Sequence, residues 1–78
     1  MNVSINGRPA VLDDGATLRD VVALTIGREL DDAGSPRDGR RLGVAVAVDA
    51  GVVPRSSWSR TAVVDGTDIE ILTAVQGG

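Results

Sequence analysis

The chain has 78 residues and a formal net charge of −3, with eight Arg, one Trp and no Lys, His, Cys, Phe or Tyr. A single domain of this length buries only about 60–65% of its unfolded surface, too little for a deep cleft plus a supporting scaffold; the negative charge argues against a nucleic-acid partner, and the lack of Cys excludes disulfides and thiolate metal sites and fits a cytoplasmic location. With no His, Lys, Cys or Tyr, most nucleophiles and proton shuttles are missing and Ser and Thr have no base to activate them, so the chain is read as a non-enzyme without a metal or cofactor of its own.

Met1-Asn2-Val3-Ser4-Ile5 alternates apolar and polar residues, the period of a half-buried strand. Asn6-Gly7 is a strong hairpin signal because both residues tolerate positive φ. Arg8 to Leu12 returns antiparallel, with Pro9 near its start, where a missing donor costs least, and Asp13-Asp14-Gly15 closes it as a turn. Thr17 is a good N-cap and Asp20 three residues on resembles a capping box. Leu18, Val21, Val22, Thr25 and Ile26 form one helical stripe, and Gly27 is a C-terminal stop.

Residues 28–41 carry both charge signs together with Gly34, Ser35, Pro36 and Gly39, and read as a loop insertion with a helical turn near Glu29-Leu30. It is either a partner contact or a tolerated surface excursion, since a long loop adds little closure entropy. Leu42 to Val48 is the strongest strand signal. Val44, Val46 and Val48 face the core, leaving Gly43, Ala45 and Ala47 as a flat surface that is either approachable by a partner or neutral. Asp49-Ala50-Gly51 is a turn, Val52-Val53 a short strand stopped by Pro54, and Trp58 a lid on the edge of the core. Asp65-Gly66 turns into a last strand, Asp68 to Val75, with Ile69, Ile71 and Thr73 inward and Glu70, Leu72 and Ala74 outward. No apolar run is long enough to span a bilayer, and the N-terminus does not read as a signal peptide.

Hairpin, helix, strand, short strand and strand give an α+β fold. The first and last strands can pair in parallel at the centre of a mixed four- to five-stranded sheet, with one main helix across one face: the β-grasp arrangement of ubiquitin. The sequence closes on Ala74-Val75-Gln76-Gly77-Gly78. A terminal Gly-Gly has no Cβ to obstruct a narrow channel, and five residues at about 3.5 Å each reach roughly 17 Å. Residues 74–78 are read as a flexible tail, with Val75, Gln76 and Gly77 threading into a partner and the Gly78 carboxylate as the working group. An inert, frayed end is the plain alternative.

Several segments together are similar to ThiS-type sulfur carriers of the ubiquitin-like ThiS/MoaD family. They are Asn6-Gly7, the LDDGAT segment opening the helix, VAVAVDAGVVPRSSW from Val44 to Trp58, DGTDIEI from Asp65 to Ile71, and the terminal AVQGG. The similarity spans the chain apart from 28–41, which is longer than family members usually carry. Asp49 stands where Asn is common, and Asp65-Gly66-Thr67-Asp68 replaces a more usual D-G-D-x turn; both departures bear on partner fit and leave the tail untouched.

The resemblance implies a carrier in thiamine biosynthesis. A ThiF-like adenylyltransferase would use ATP and Mg²⁺ to adenylate Gly78. Sulfur from a cysteine desulfurase would convert it to a thiocarboxylate, and a ThiG-like thiazole synthase would take the sulfur. Leu72, Ala45 and Ala47 are the candidate partner surface, and the unconjugated chain is expected to be monomeric. A MoaD-like small subunit of molybdopterin synthase, a carrier for cysteine or secondary-metabolite sulfuration, and an interaction module with an inert tail remain as alternatives.

Overall fold

The computed structural model describes residues 1–40 and 42–73. Five strands, β1 (Asn2–Ile5), β2 (Arg8–Val11), β3 (Val44–Val48), β4 (Gly51–Val53) and β5 (Asp68–Thr73), form one sheet in the order β2-β1-β5-β3-β4. One helix, α1 (Leu18–Ile26), and a 3₁₀ helix, Arg55–Arg60, complete the fold. β1 and β5 pair in parallel at the centre and the other pairs are antiparallel, so the sheet is the mixed β-grasp arrangement expected from the element order. Among the described residues no helix is long and apolar enough to cross a membrane.

Local chemistry accounts for most boundaries. Asn6 and Gly7 both adopt positive φ, 53° and 79°, the twist that a two-residue hairpin requires. The Asn6 side chain has a second role. Its Oδ1 accepts from the Ile71 N–H at 2.7 Å and its Nδ2 donates to the Ile71 carbonyl at 3.1 Å. The β1–β5 backbone ladder reaches Asn6 N–H to Ile69 O, and the amide extends it by one further step. Pro9 lies on the open edge of β2. The Met1 and Leu12 backbones exchange both hydrogen bonds, so by alternation Pro9 is directed outward, where its missing N–H blunts edge pairing.

Thr17 caps α1 as a full capping box. The Asp20 N–H donates to Thr17 Oγ1 and the Thr17 N–H donates to the Asp20 carboxylate at 2.9 Å. That second bond is the main reason the Asp20 carboxyl titrates below its ordinary value. Gly27 ends the helix at φ 69°. Leu18, Val21 and Val22 are fully buried and Ile26 is half-buried, whereas Thr25 lies exposed at the stripe's edge with its hydroxyl bonded to the Val21 carbonyl.

Four readings change. Trp58 is no edge lid: it sits within the core at 1% exposure, with its indole N–H donating to the Val53 carbonyl at 3.0 Å. It is carried by the 3₁₀ helix, which follows directly on Pro54, so Pro54 opens an element as well as stopping β4. The ring fills volume that Phe and Tyr occupy in other small domains; truncating such a ring costs about 3–5 kcal/mol. No helical turn forms at Glu29-Leu30. Instead Leu30 bridges Pro36 and enters the core at 5% exposure. Asp31 accepts from the N–H groups of Ala33 and Ser35, and the Ser59 hydroxyl donates to the Asp32 carbonyl. Gly34 has φ 80° and lies so close to Arg55 that a Cβ there would collide with the Arg55 side chain. Finally, Thr73 is exposed, because β5 passes beyond the core after Ile71.

Two outcomes test these arguments. Asn6→Ala removes both bonds to Ile71 and puts a Cβ residue with no local hydrogen bond at positive φ; it lowers unfolding free energy by about 2–3 kcal/mol in urea titration. Asp20 has a depressed folded-state pKa, so its stabilising contribution is present above the unfolded value of about 3.9 and is lost as pH falls through the folded one. Asp20→Asn therefore loses less stability than the parent chain between about pH 6 and pH 3, measured from denaturant midpoints at each pH.

Candidate functional site

The chain leaves the sheet from its middle. β5 lies between β1 and β3, and its last register pair is Val44 with Thr73. Because β1 runs parallel to β5, with Ser4 opposite Asp68 and Ile5 opposite Ile69, Met1 sits far down the sheet from Thr73. The threading residues Val75, Gln76 and Gly77 and the acyl residue Gly78 lie outside the described residues, as does Ala74.

Beside the exit the outer sheet face, turned away from α1, presents an apolar patch. Ile69 and Ile71 point inward and are buried, which turns Glu70 and Leu72 outward. Leu72 is 66% exposed and directly opposite Ala45. Ala47 is opposite Glu70 on one side and Val52 on the other. The three candidate surface residues Leu72, Ala45 and Ala47 are thus together on one face, and Gly43, Val44, Ala45, Leu72 and Thr73 line a shallow depression there.

Val52 was not singled out from the sequence, yet it is 80% exposed and extends the patch. Its direction follows from the β3–β4 turn. Asp49 and Ala50 both have positive φ, and this two-residue connection sets Gly51 against Val48 and therefore Val52 against Ala47. That turn was legible, so the register could have been counted. Asn6-Gly7 carries only a turn signal in the sequence; the grip of Asn6 on Ile71, two residues before Thr73, arises from the tertiary structure.

The arrangement offers docking and presentation. The described residues of this patch, Leu72, Ala45, Ala47, Val52 and Glu70, include no hydroxyl, thiol, imidazole or amine nucleophile. Among the described residues no group of three potential ligands could hold a metal ion. The two displaced carboxyls serve the scaffold. Asp20 belongs to the helix cap, and Asp38, held below its ordinary value chiefly by the Arg28 guanidinium, ties the 28–41 loop together.

The sequence model of the ThiS family matches residues 3–78. The search of curated proteins returned no match. Among solved structures, the crystal structure of a thiamine biosynthesis protein (ThiS) from Geobacter metallireducens is similar at 25% identity and a TM-score of 0.67, with 100% of each chain covered. An NMR solution structure of a thiamine biosynthesis protein from the same organism has 24% identity and a TM-score of 0.68, covering 100% of this chain and 88% of the other. SAMP1 from Haloferax volcanii shares the fold at 17% identity and a TM-score of 0.55, with 99% and 97% covered. With a match running from Val3 to the last glycine, on a β-grasp scaffold shared with these structures, the chain belongs to the ThiS family.

Proposed function

We propose that the chain is a sulfur carrier of thiamine biosynthesis whose working group is the Gly78 carboxylate. The observation that carries this reading is the family match extending to residue 78, which includes Gly77-Gly78 and so joins the tail to the scaffold. The name of the Geobacter metallireducens neighbour points the same way.

A carboxylate is a poor electrophile. In the proposed cycle a ThiF-like adenylyltransferase supplies ATP and Mg²⁺, and the Gly78 carboxylate oxygen attacks the α-phosphorus. Pyrophosphate leaves, giving an acyl-adenylate. A persulfide sulfur, drawn from a cysteine desulfurase, attacks the acyl carbon and expels AMP. A partner thiol then cleaves the S–S bond of the resulting acyl disulfide, releasing the thiocarboxylate and forming a disulfide within the partner, and a ThiG-like thiazole synthase consumes the thiocarboxylate. Every catalytic side chain in these steps belongs to a partner. This chain contributes a narrow acyl arm, since glycine at both final positions permits close approach. It also contributes a surface to hold, in which Leu72, Ala45, Ala47 and Val52 form an exposed apolar patch next to the exit.

Two measurements test the reading. Intact-mass spectrometry after incubation with ATP, Mg²⁺, an adenylyltransferase and sulfide should show exchange of one oxygen for sulfur. Deleting Gly78, or adding one residue after it, should end that exchange and leave the thermal midpoint unchanged; conversion of the extended chain would refute a carboxyl-terminal acyl site. Leu72→Arg places a charge at an exposed strand position, so unfolding free energy should change by no more than about 0.5 kcal/mol. Affinity for the adenylyltransferase, by titration calorimetry, should fall at least tenfold. A large loss of stability with affinity retained would make Leu72 a structural residue instead.

A further inference from the structure

The outer sheet face carries carboxylates and no described cation. Glu70 stands within the apolar patch, one step along β5 from Leu72 and directly across from Ala47. Its carboxylate takes no hydrogen bond and no ion pair among the described residues, although it is exposed on a face open to solvent. Asp68 follows on the same side, its carboxylate accepting from the Ser4 hydroxyl at 2.8 Å. The adjoining turns add Asp49 and Asp65, which accept from the backbone N–H groups of Asp68 and Asn2. Among the described residues Arg8 is the one arginine on a strand, and it is opposite Ile5, which packs against the core, so it stands on the α1 side of the sheet. The other described arginines are on α1, in the 28–41 loop and on the 3₁₀ helix. Along β5 the outer face thus runs from apolar Leu72, nearest Thr73, through Glu70, which stands level with Ala47 and Val52, to Asp68.

We infer that this face docks a protein surface that is apolar opposite Leu72 and Val52 and carries Arg or Lys opposite Glu70 and Asp68. The inference rests on the carrier reading and specifies the chemistry of the surface the carrier meets. Charge complementarity selects the occupant. A second copy stacked face to face would set carboxylates against carboxylates, within a Debye length of about 8 Å at physiological salt. A basic surface gains what a second copy would lose. Asp68 continues the acidic row beyond the patch, on the side away from Thr73, so only one orientation along β5 sets basic residues of the partner against Glu70 and Asp68 and its apolar surface against Leu72. Electrostatic matching of this kind acts mainly on the association rate and on selection among partners.

The test measures association of the full chain with a purified ThiF-type adenylyltransferase by stopped flow, at low salt and at about 0.5 M, where the Debye length shrinks to roughly 4 Å. Parent chain, Glu70→Gln, Glu70→Lys and Glu29→Gln are compared. Glu29 is exposed in the 28–41 loop, so Glu29→Gln makes the same change in net charge away from this face. Melting curves confirm that each variant folds. The parent rate should fall with salt, Glu70→Gln should be several-fold slower at low salt, Glu70→Lys at least tenfold slower, and all rates should converge at high salt. Glu29→Gln should follow the parent. A Glu70→Lys chain that associates as fast as the parent overturns the inference, as does a Glu29→Gln chain slowed equally. In either case a parent chain still converted to thiocarboxylate leaves the carrier reading standing. A parent chain that neither binds nor is converted removes both.

Discussion

The structure depends on how β5 is held. This strand carries the tail, and it would be a weak mount if it lay at a sheet edge, where one side of its backbone would face water. Here both sides are occupied. β3 pairs with it from Val48 opposite Ile69 to Val44 opposite Thr73, and β1 pairs with it in parallel at Asp68 and Ile69. Where β1 turns away, the Asn6 amide satisfies the N–H and carbonyl of Ile71 in place of a backbone neighbour. The hairpin residue that ends one strand thereby secures the strand that leads to residues 74–78.

The core makes that mount possible with unusual materials. Valine, leucine and isoleucine line it, with one indole at its centre. β-branched side chains are stiff and pack well on a pleated sheet, but they leave volume under the helix that small residues do not fill. Trp58 fills it, and its only polar atom is satisfied by Val53. Leu30 reaches in from the long loop to complete the same cluster. The loop is thus fastened at its base, through Leu30, Arg28–Asp38 and Arg19–Asp32, while Glu29, Arg37 and Arg40 are exposed.

What could be read from sequence was what local chemistry decides. Asn6-Gly7, the Thr17–Asp20 capping box, Gly27 and the alternation in Val44–Val48 each have a short-range cause, and each forms as read. Pairing Ala45, Ala47 and Leu72 on one face needed only the two-residue period and the sheet order. The failures have long-range causes. Trp58 and Leu30 are separated in sequence from most of the residues that bury them, and a polar neighbourhood such as SSWSR or GREL gives no sign of depth. Thr73 continues an inward alternation past the point where there is still a core to face. The outward direction of Glu70 follows from the two-residue period, but the one-signed charge of its face appears only when five strands are laid side by side.

The aromatic poverty of the chain has a practical corollary. Trp58 is the sole fluorophore of its class and the chain has no tyrosine, so intrinsic emission reports one buried location on the helix side of the sheet. The opposite face has no chromophore. Emission on excitation of the isolated chain therefore follows unfolding, and any spectral response on mixing with an enzyme that leaves this interior intact originates in the enzyme. Conformational integrity and complex formation can be monitored in one cuvette without a label.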